Sequence, residues 1–266
     1  MAARSVSRPS RDTRTVALTL QGGGALGAYH RQIRLSLGAT NLATGNLEFF
    51  DNHRDTIGPE HVLASGSLPP GFPATLVDGK LYWDGGCVSN TPLDAVVDEP
   101  AHPRMVVFVI DLWNPIGPPP ESINAVLWRA KQIQYASRTA HHIDAVATKV
   151  NLRHALRLLK AAGVPEAAAV PDDPMLTERR LDIVHIVYRP DADQIPNSDA
   201  EFSRSSIAER REAGYRDMRA ALDAQPWLRQ QMPAHLGALV HRVEREKVST
   251  RPEPNLHTTT DKPAAA

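Results

Sequence analysis

The chain has 266 residues, 42% of them hydrophobic, enough for one large or two small globular domains with a real core. Lys plus Arg number 30 and Asp plus Glu number 30, so no cationic excess drives nucleic-acid binding through counterion release, and nucleic acid is excluded as an expected partner. The single cysteine, Cys87, excludes an internal disulfide framework and a cysteine zinc cluster, and a reducing, cytoplasmic location is expected.

Residues 1–14 (MAARSVSRPSRDTR) are Arg- and Ser-rich, lack the apolar stretch of a secretory signal, and read as a disordered tail. Thr15 to Leu20 (TVALTL) is a short β-rich run, and Ile33 to Thr40 (IRLSLGAT) alternates like a half-buried strand. Leu47 to Phe50 and Leu81 to Trp83 are shorter strand candidates. Met105 to Ile110 (MVVFVI) and Ile183 to Tyr188 (IVHIVY) are continuous and apolar, as strands covered on both faces are. Helical periodicity covers about Ile123 to Lys149, then Leu152 to Ala162, with Gly163 and Pro165 as the stop. Ser198 to Glu201 is a capping-box pattern opening a helix to about Leu222, and Pro226 begins a last helix of mixed charge. Strands interleaved with helices predict an α/β sheet protein. From about Thr250 the chain is Thr-, Pro- and Ala-rich without apolar periodicity, so residues 248–266 read as a second disordered tail. No run approaches the roughly 18 apolar residues of a membrane span, which leaves at most peripheral membrane contact.

Two glycine signals carry the chemistry. Gly22, Gly23, Gly24 and Gly27 follow the first strand, and Gly22, Gly24 and Gly27 fit G-x-G-x-x-G, a turn whose missing side chains let backbone N–H groups reach an anion. One reading is a nucleotide-binding module, with Glu48 as the acidic residue about 20 positions on. Against it, only Ala28 to Gln32 separate the last glycine from the next strand, whereas a parallel crossover takes about a dozen residues. A second reading is an oxyanion hole, whose amides face the negative oxygen formed when an ester carbonyl is attacked. A third is a plain Gly-rich turn. Asp84, Gly85 and Gly86 form the other signal: the glycines permit a sharp turn that leaves a carboxylate at a strand end, as a base or as an ordinary turn residue.

Smaller signals read as structural. Adjacent helical residues point about 100° apart, so His141 and His142 with Asp144 make no metal site without a further ligand. Cys87 has no cationic sequence neighbour to lower its pKa. Arg204 to Arg219 alternates with acids in helical register, the pattern of a solvated face.

TVALTLQGGGALGAYH at 15–30, ASGSLPPGFP at 64–73 and YWDGGCVSNTPL at 82–93 together resemble the patatin-like phospholipases, lipid acyl hydrolases that use a Ser–Asp dyad. The region from Asp111 to about Arg219, including LWRAKQIQYASRTAHHIDAVATK, resembles the C-terminal extension of one bacterial branch of that family. The resemblance implies a patatin-like open sheet flanked by helices, in a truncated α/β domain over 15–110, with a mainly helical C-terminal extension over 111–247 packed on it. It further implies an oxyanion loop of Gly22, Gly23, Gly24 and Gly27, and Asp84 as proton acceptor within an Asp84-Gly85-Gly86 motif. The substrate would be a lipid or acyl ester, with no cofactor and no metal.

The family's G-x-S-x-G nucleophile elbow is not in the chain. Gly23 and Gly27 are the only glycines four apart, and Ala25 lies between them. Where the family has a helix and the elbow strand, the chain passes from Ala28-Tyr29-His30 to Arg34-Leu35-Ser36-Leu37, the form of an internal deletion. Ser36, Ser65, Ser67 and Ser89 fall in matching regions, but none sits in G-x-S-x-G. A carboxylate and an oxyanion hole without a nucleophile leave the acyl group nowhere to land, so an inactive chain is expected. Loss of central strands is expected to leave an unpaired sheet edge open to self-association.

Overall fold

A computed structural model describes residues 15–20, 35–97, 103–113, 116–176, 178–189 and 203–251. Among the described residues, nine strands fall into two sheets. The larger has five strands in the order β1 (Thr15–Leu20), β6 (Arg104–Asp111), β7 (Arg180–Val187), β8 (Ala238–Glu244) and β9 (Lys247–Arg251). The first four run parallel, and β9 returns antiparallel beside β8. The smaller is antiparallel throughout, in the order β3 (Leu47–Asp51), β2 (Ser36–Asn41), β5 (Lys80–Asp84) and β4 (Thr75–Val77).

The apolar run of β6 is a strand because both its faces are covered. Met105, Val107 and Val109 point to one side, into a core with Leu181 and Ile183 of β7, Val240 of β8 and Ile143, Val146 and Val150 of helix α3 (Ile123–Ala161). Val106 and Phe108 point to the other, with Val184, Ile186, Val243 and Ala221 of helix α5 (Arg204–Ala224). Helices on both faces of a mostly parallel sheet are the α/β arrangement that the interleaved pattern implies. α3 is one helix of 39 residues rather than two. Neither Gly nor Pro interrupts it near Asn151, whose side-chain oxygen accepts from the N–H groups of Gly237 and Ala238 at 2.8 and 2.7 Å and so ties the helix to β8.

Four expectations change. Residue 110 is no boundary, because it lies inside β6, and residues 111–247 contribute β7, β8 and the start of β9 to the sheet that holds β1. Pro226 opens only the single turn α6 (Pro226–Arg229), and the chain beyond it forms the β8–β9 hairpin, where Val240, His241 and Val243 are buried. Residues 248–251 are accordingly not tail: Val248 packs on the α5 side of the sheet, Thr250 bonds His241, and Arg251 pairs with Asp144 at 3.6 Å. The sheet is double rather than single, for β2, β3 and β5 belong with β4 and not with β1. The capping-box residues 198–201, and residues 1–14 and 252–266, lie outside the described residues; α5 is capped by Ser203, which accepts from Ser206 N–H at 3.2 Å.

Among the described residues, no helix is long and apolar enough to cross a membrane.

Candidate active site

Asp84 closes β5, the third strand of the antiparallel sheet, and the chain then makes one 3₁₀ turn over Gly85–Cys87. Its backbone is held from both sides: Asp84 N–H donates to Ser67 O at 3.0 Å, and Asp84 O accepts from the Thr40 hydroxyl at 2.9 Å. Its side chain is held too, since Asp84 Oδ1 accepts from Gly86 N–H at 2.7 Å. The carboxylate is thus fixed in one rotamer at a strand end, 8% exposed. Burial pushes its pKa up, and the Gly86 N–H opposes that by stabilising the charged form. A carboxylate with a raised pKa takes up a proton more readily, which suits a proton acceptor.

The glycines are there for contact, not only for turning. A Cβ on Gly85 would lie 2.6 Å from Gly38 O of β2, a backbone atom that cannot move aside. A Cβ on Gly86 would stand 3.2 Å from Asp84 Oδ1 and 3.3 Å from Asn90 Oδ1. The motif therefore lets β5 turn against β2 and opens a small polar cradle between Asp84 and Asn90. Asn90 is 8% exposed, and its Nδ2 has no hydrogen-bond partner among the described residues. Sequence reading missed Asn90, because a lone Asn four residues past a Gly-Gly turn carries no periodic or motif signal of its own. The segment after the turn joins the other sheet's core, through a 3.0 Å contact between the Thr91 and Thr139 hydroxyls and through buried Leu93 and Val97, the latter in the short helix α2 (Asp94–Val97).

The other candidates separate. Gly22, Gly23, Gly24 and Gly27 lie outside the described residues. The strand that leads to them, β1, ends at Leu20 opposite Ile110, at the carboxyl end of the parallel sheet. Asp84 stands on the antiparallel sheet instead, so the two glycine signals do not rise from one sheet. Glu48, the acidic residue of the nucleotide reading, is in β3 and is engaged there: its carboxylate accepts from the Tyr82 hydroxyl at 2.7 Å and from Asn41 Nδ2 at 2.8 Å. The Tyr82 bond is the main cause of its lowered pKa, and burial with Glu48 pushes the Tyr82 phenol up to about 12.

Among the described residues, serine hydroxyls near the motif are engaged elsewhere or make no bond to Asp84. Ser36 donates to Asp51 Oδ2 at 2.7 Å, and Ser67 donates to Leu63 O at 2.7 Å beside the Thr75 hydroxyl. Among the described residues, the Asp84 carboxylate bonds the Gly86 amide and no serine hydroxyl.

His–Asp pairs unseen in the sequence lie within the five-stranded sheet. His185 Nε2 is 3.1 Å from Asp111 Oδ2, and His241 Nε2 is 2.9 Å from Asp182 Oδ1, with His241 Nδ1 2.8 Å from the Thr250 hydroxyl. His241 is fully buried, and the series Asp182–His241–Thr250 straps β7, β8 and β9 together. His141, His142 and Asp144 do not converge: among the described residues no three His, Cys, Asp or Glu side chains are placed to hold a metal ion.

Comparison with known families gives two matches. Residues 32–97, which include Asp84, Gly85 and Gly86, match the model described as patatin-like phospholipase. Residues 133–234, from within α3 to beyond α6, match a second model described as patatin phospholipase. No curated protein matches the chain.

Proposed function

We propose that the chain, two parts of which match models described as patatin-like phospholipase and patatin phospholipase, is a catalytically silent member of that lipid acyl hydrolase lineage that keeps the base and has lost the nucleophile. In this reading Asp84 is the proton acceptor of a Ser–Asp dyad, with Gly85 and Gly86 setting its position. Gly22, Gly23, Gly24 and Gly27 supply the oxyanion amides. The dyad reaction needs a serine oxygen that loses its proton to the carboxylate as it bonds the acyl carbon; the oxyanion amides stabilise the tetrahedral oxygen, the carboxylic acid returns the proton to the departing lipid alcohol, and water, deprotonated by the same carboxylate, then cleaves the acyl-serine ester to release the fatty acid and restore the serine.

One observation carries the reading: no serine in the 266 residues stands in G-x-S-x-G, and the single glycine pair with that spacing frames Ala25. The geometry at Asp84 supports it, because the carboxylate is buried and locked to Gly86 with no serine hydroxyl bonded to it among the described residues. The test is hydrolysis of a short-chain aryl ester and of mixed phosphatidylcholine micelles by the purified full chain. Rates equal to buffer are expected; turnover that Asp84→Asn abolishes overturns the reading.

The same loss bears on assembly. β1 pairs with β6 alone among the described residues, its sequence TVALTL holds no charge or proline, and Val16 and Leu18 are 66% and 56% exposed. Edge strands ordinarily carry Lys, Pro or a bulge that discourages pairing. The opposite edge, β9, carries Lys247 and Arg251, and β4 has only three residues. Self-association of the chain therefore runs through β1, antiparallel to a second β1, where Val16 of each copy meets Leu18 of the other.

A further inference from the structure

The N-terminal turns of α3 carry apolar side chains on two sides, and only one side faces protein. Trp128, Tyr135 and Ala136 are buried on the inner side, where Trp113 stacks on Tyr135 at 4.9 Å and tilts on Trp128 at 5.8 Å. That packing fixes the rotation of the helix. Ile123, Val126, Leu127, Ala130 and Ile133 are therefore held on the outer side, at i, i+3, i+4, i+7 and i+10, the spacing of one helix face. Ile123 is 72% exposed, Leu127 63%, Ile133 47% and Val126 43%. Large aliphatic side chains exposed in one row form the kind of patch that marks an interaction surface.

The order of charges along the helix indicates what covers this row. No residue of the row is ionisable; an acid, Glu121, stands just before its first turn, and a base, Lys131, stands beside its last. Acid, apolar row, base is a pattern complementary to its own reverse. In an antiparallel pair with the two-fold axis between Val126 and Leu127, Val126 meets Leu127 of the second copy and Ile123 meets its Ala130. The same register brings Glu121 level with Lys131 of the second copy at each end. A parallel pair would instead set Glu121 against Glu121 and Lys131 against Lys131, so the charges select the antiparallel arrangement, which also opposes the two helix dipoles. Lys131 Nζ lies 5.7 Å from the Trp113 ring centre. An ammonium has three donors, so that ring contact leaves room for a carboxylate.

We propose that this face of α3 is an interface between two copies of the chain, with the helices antiparallel, the apolar row buried at the centre and a Glu121–Lys131 pair at each end. Burial of the row drives the association, and the end pairs set its register. The contact is separate from the β1 edge and independent of the reading of Asp84, since it is read in assembly and not in turnover.

The experiment is sedimentation equilibrium of the full chain carrying Leu18→Lys, which takes the β1 edge out of the comparison. A monomer–dimer equilibrium is expected from it. Adding Leu127→Asp puts a carboxylate into the apolar row from each copy and raises the dissociation constant about a hundredfold or more, while the circular dichroism stays unchanged. In the same background, Glu121→Lys and Lys131→Glu each weaken the dimer by roughly threefold to tenfold. Mixing those two single variants gives a heterodimer tighter than either homodimer, because every end contact then joins a lysine to a glutamate. A Leu18→Lys chain that is monomeric at the highest concentration reached, a dimer that Leu127→Asp leaves unchanged, or charge variants that form no preferred heterodimer overturns the proposal.

Discussion

The two sheets hold their site-bearing ends in opposite ways. At the end of β5, the Asp84 N–H, carbonyl and carboxylate each have a named partner within 3.0 Å, and the following glycines lie hard against β2. At β1 the strand has β6 on one side and, among the described residues, nothing on the other, with Val16 and Leu18 turned to solvent. The contrast fits a loss confined to one place. On the proposed reading, removal of the segment that would bear the nucleophile would take a neighbour from β1 and leave the Asp84 turn intact, because that turn draws its bonds from β2, Ser67 and its own glycine.

The largest effect expected comes from breaking the strap inside the five-stranded sheet. His241→Ala leaves Asp182 buried without its imidazole and costs on the order of 3–5 kcal/mol, the penalty for orphaning one member of a buried pair. Urea unfolding monitored by circular dichroism measures it. Next is the tight turn of the other sheet, where Gly85→Ala forces a Cβ onto Gly38 O and destabilises by about 1–3 kcal/mol. If Gly85→Ala unfolds at the wild-type urea midpoint, the turn is not the close-packed feature described here.

At β1 the sign differs. Leu18→Lys places a charge on an exposed edge, changes monomer stability by no more than about 0.5 kcal/mol, and shifts the chain toward monomer in sedimentation equilibrium. A wild-type chain that is monomeric at high concentration removes the proposed role of that edge.

The smallest effect is at Asp84 itself. Because burial raises its folded-state pKa, ionised Asp84 costs the native state stability, and that cost appears as pH rises through the folded pKa. Asp84→Asn keeps an oxygen for Gly86 N–H and is expected to raise Tm modestly at pH 7. Below about pH 3.9, where even an unfolded aspartate is protonated, the gain disappears. A gain that grows on acidification contradicts the sign.

Much of this was readable in the residues, and the failures have physical causes. β6 and β7 announce themselves as apolar runs because each is covered by helices on both faces. The Asp84 turn is legible because only glycine tolerates a backbone oxygen at 2.6 Å from a Cβ position. The β8–β9 hairpin is not legible: its turn puts Arg245 at φ 48° and Glu246 at φ 61°, a conformation that Asn-Gly or Asp-Gly usually signals. Tertiary bonding replaces that signal, since Asp217 of α5 accepts from Glu246 N–H at 2.8 Å. Asn151 misled in the same manner, resembling a break in α3 while its side chain bonds the entry to β8. The pairing of β2 with β5 rather than with β1 is a long-range choice that no local pattern encodes. It separates Asp84 from the strand that leads to Gly22, Gly23, Gly24 and Gly27.

The central claim is that Asp84 has no nucleophile to serve. Its most direct test is incubation of the purified chain with a fluorophosphonate, followed by intact mass and peptide mapping. The account predicts no adduct at any serine or threonine at reagent concentrations that saturate an active serine hydrolase. A stoichiometric adduct whose formation is lost in Asp84→Asn would contradict it.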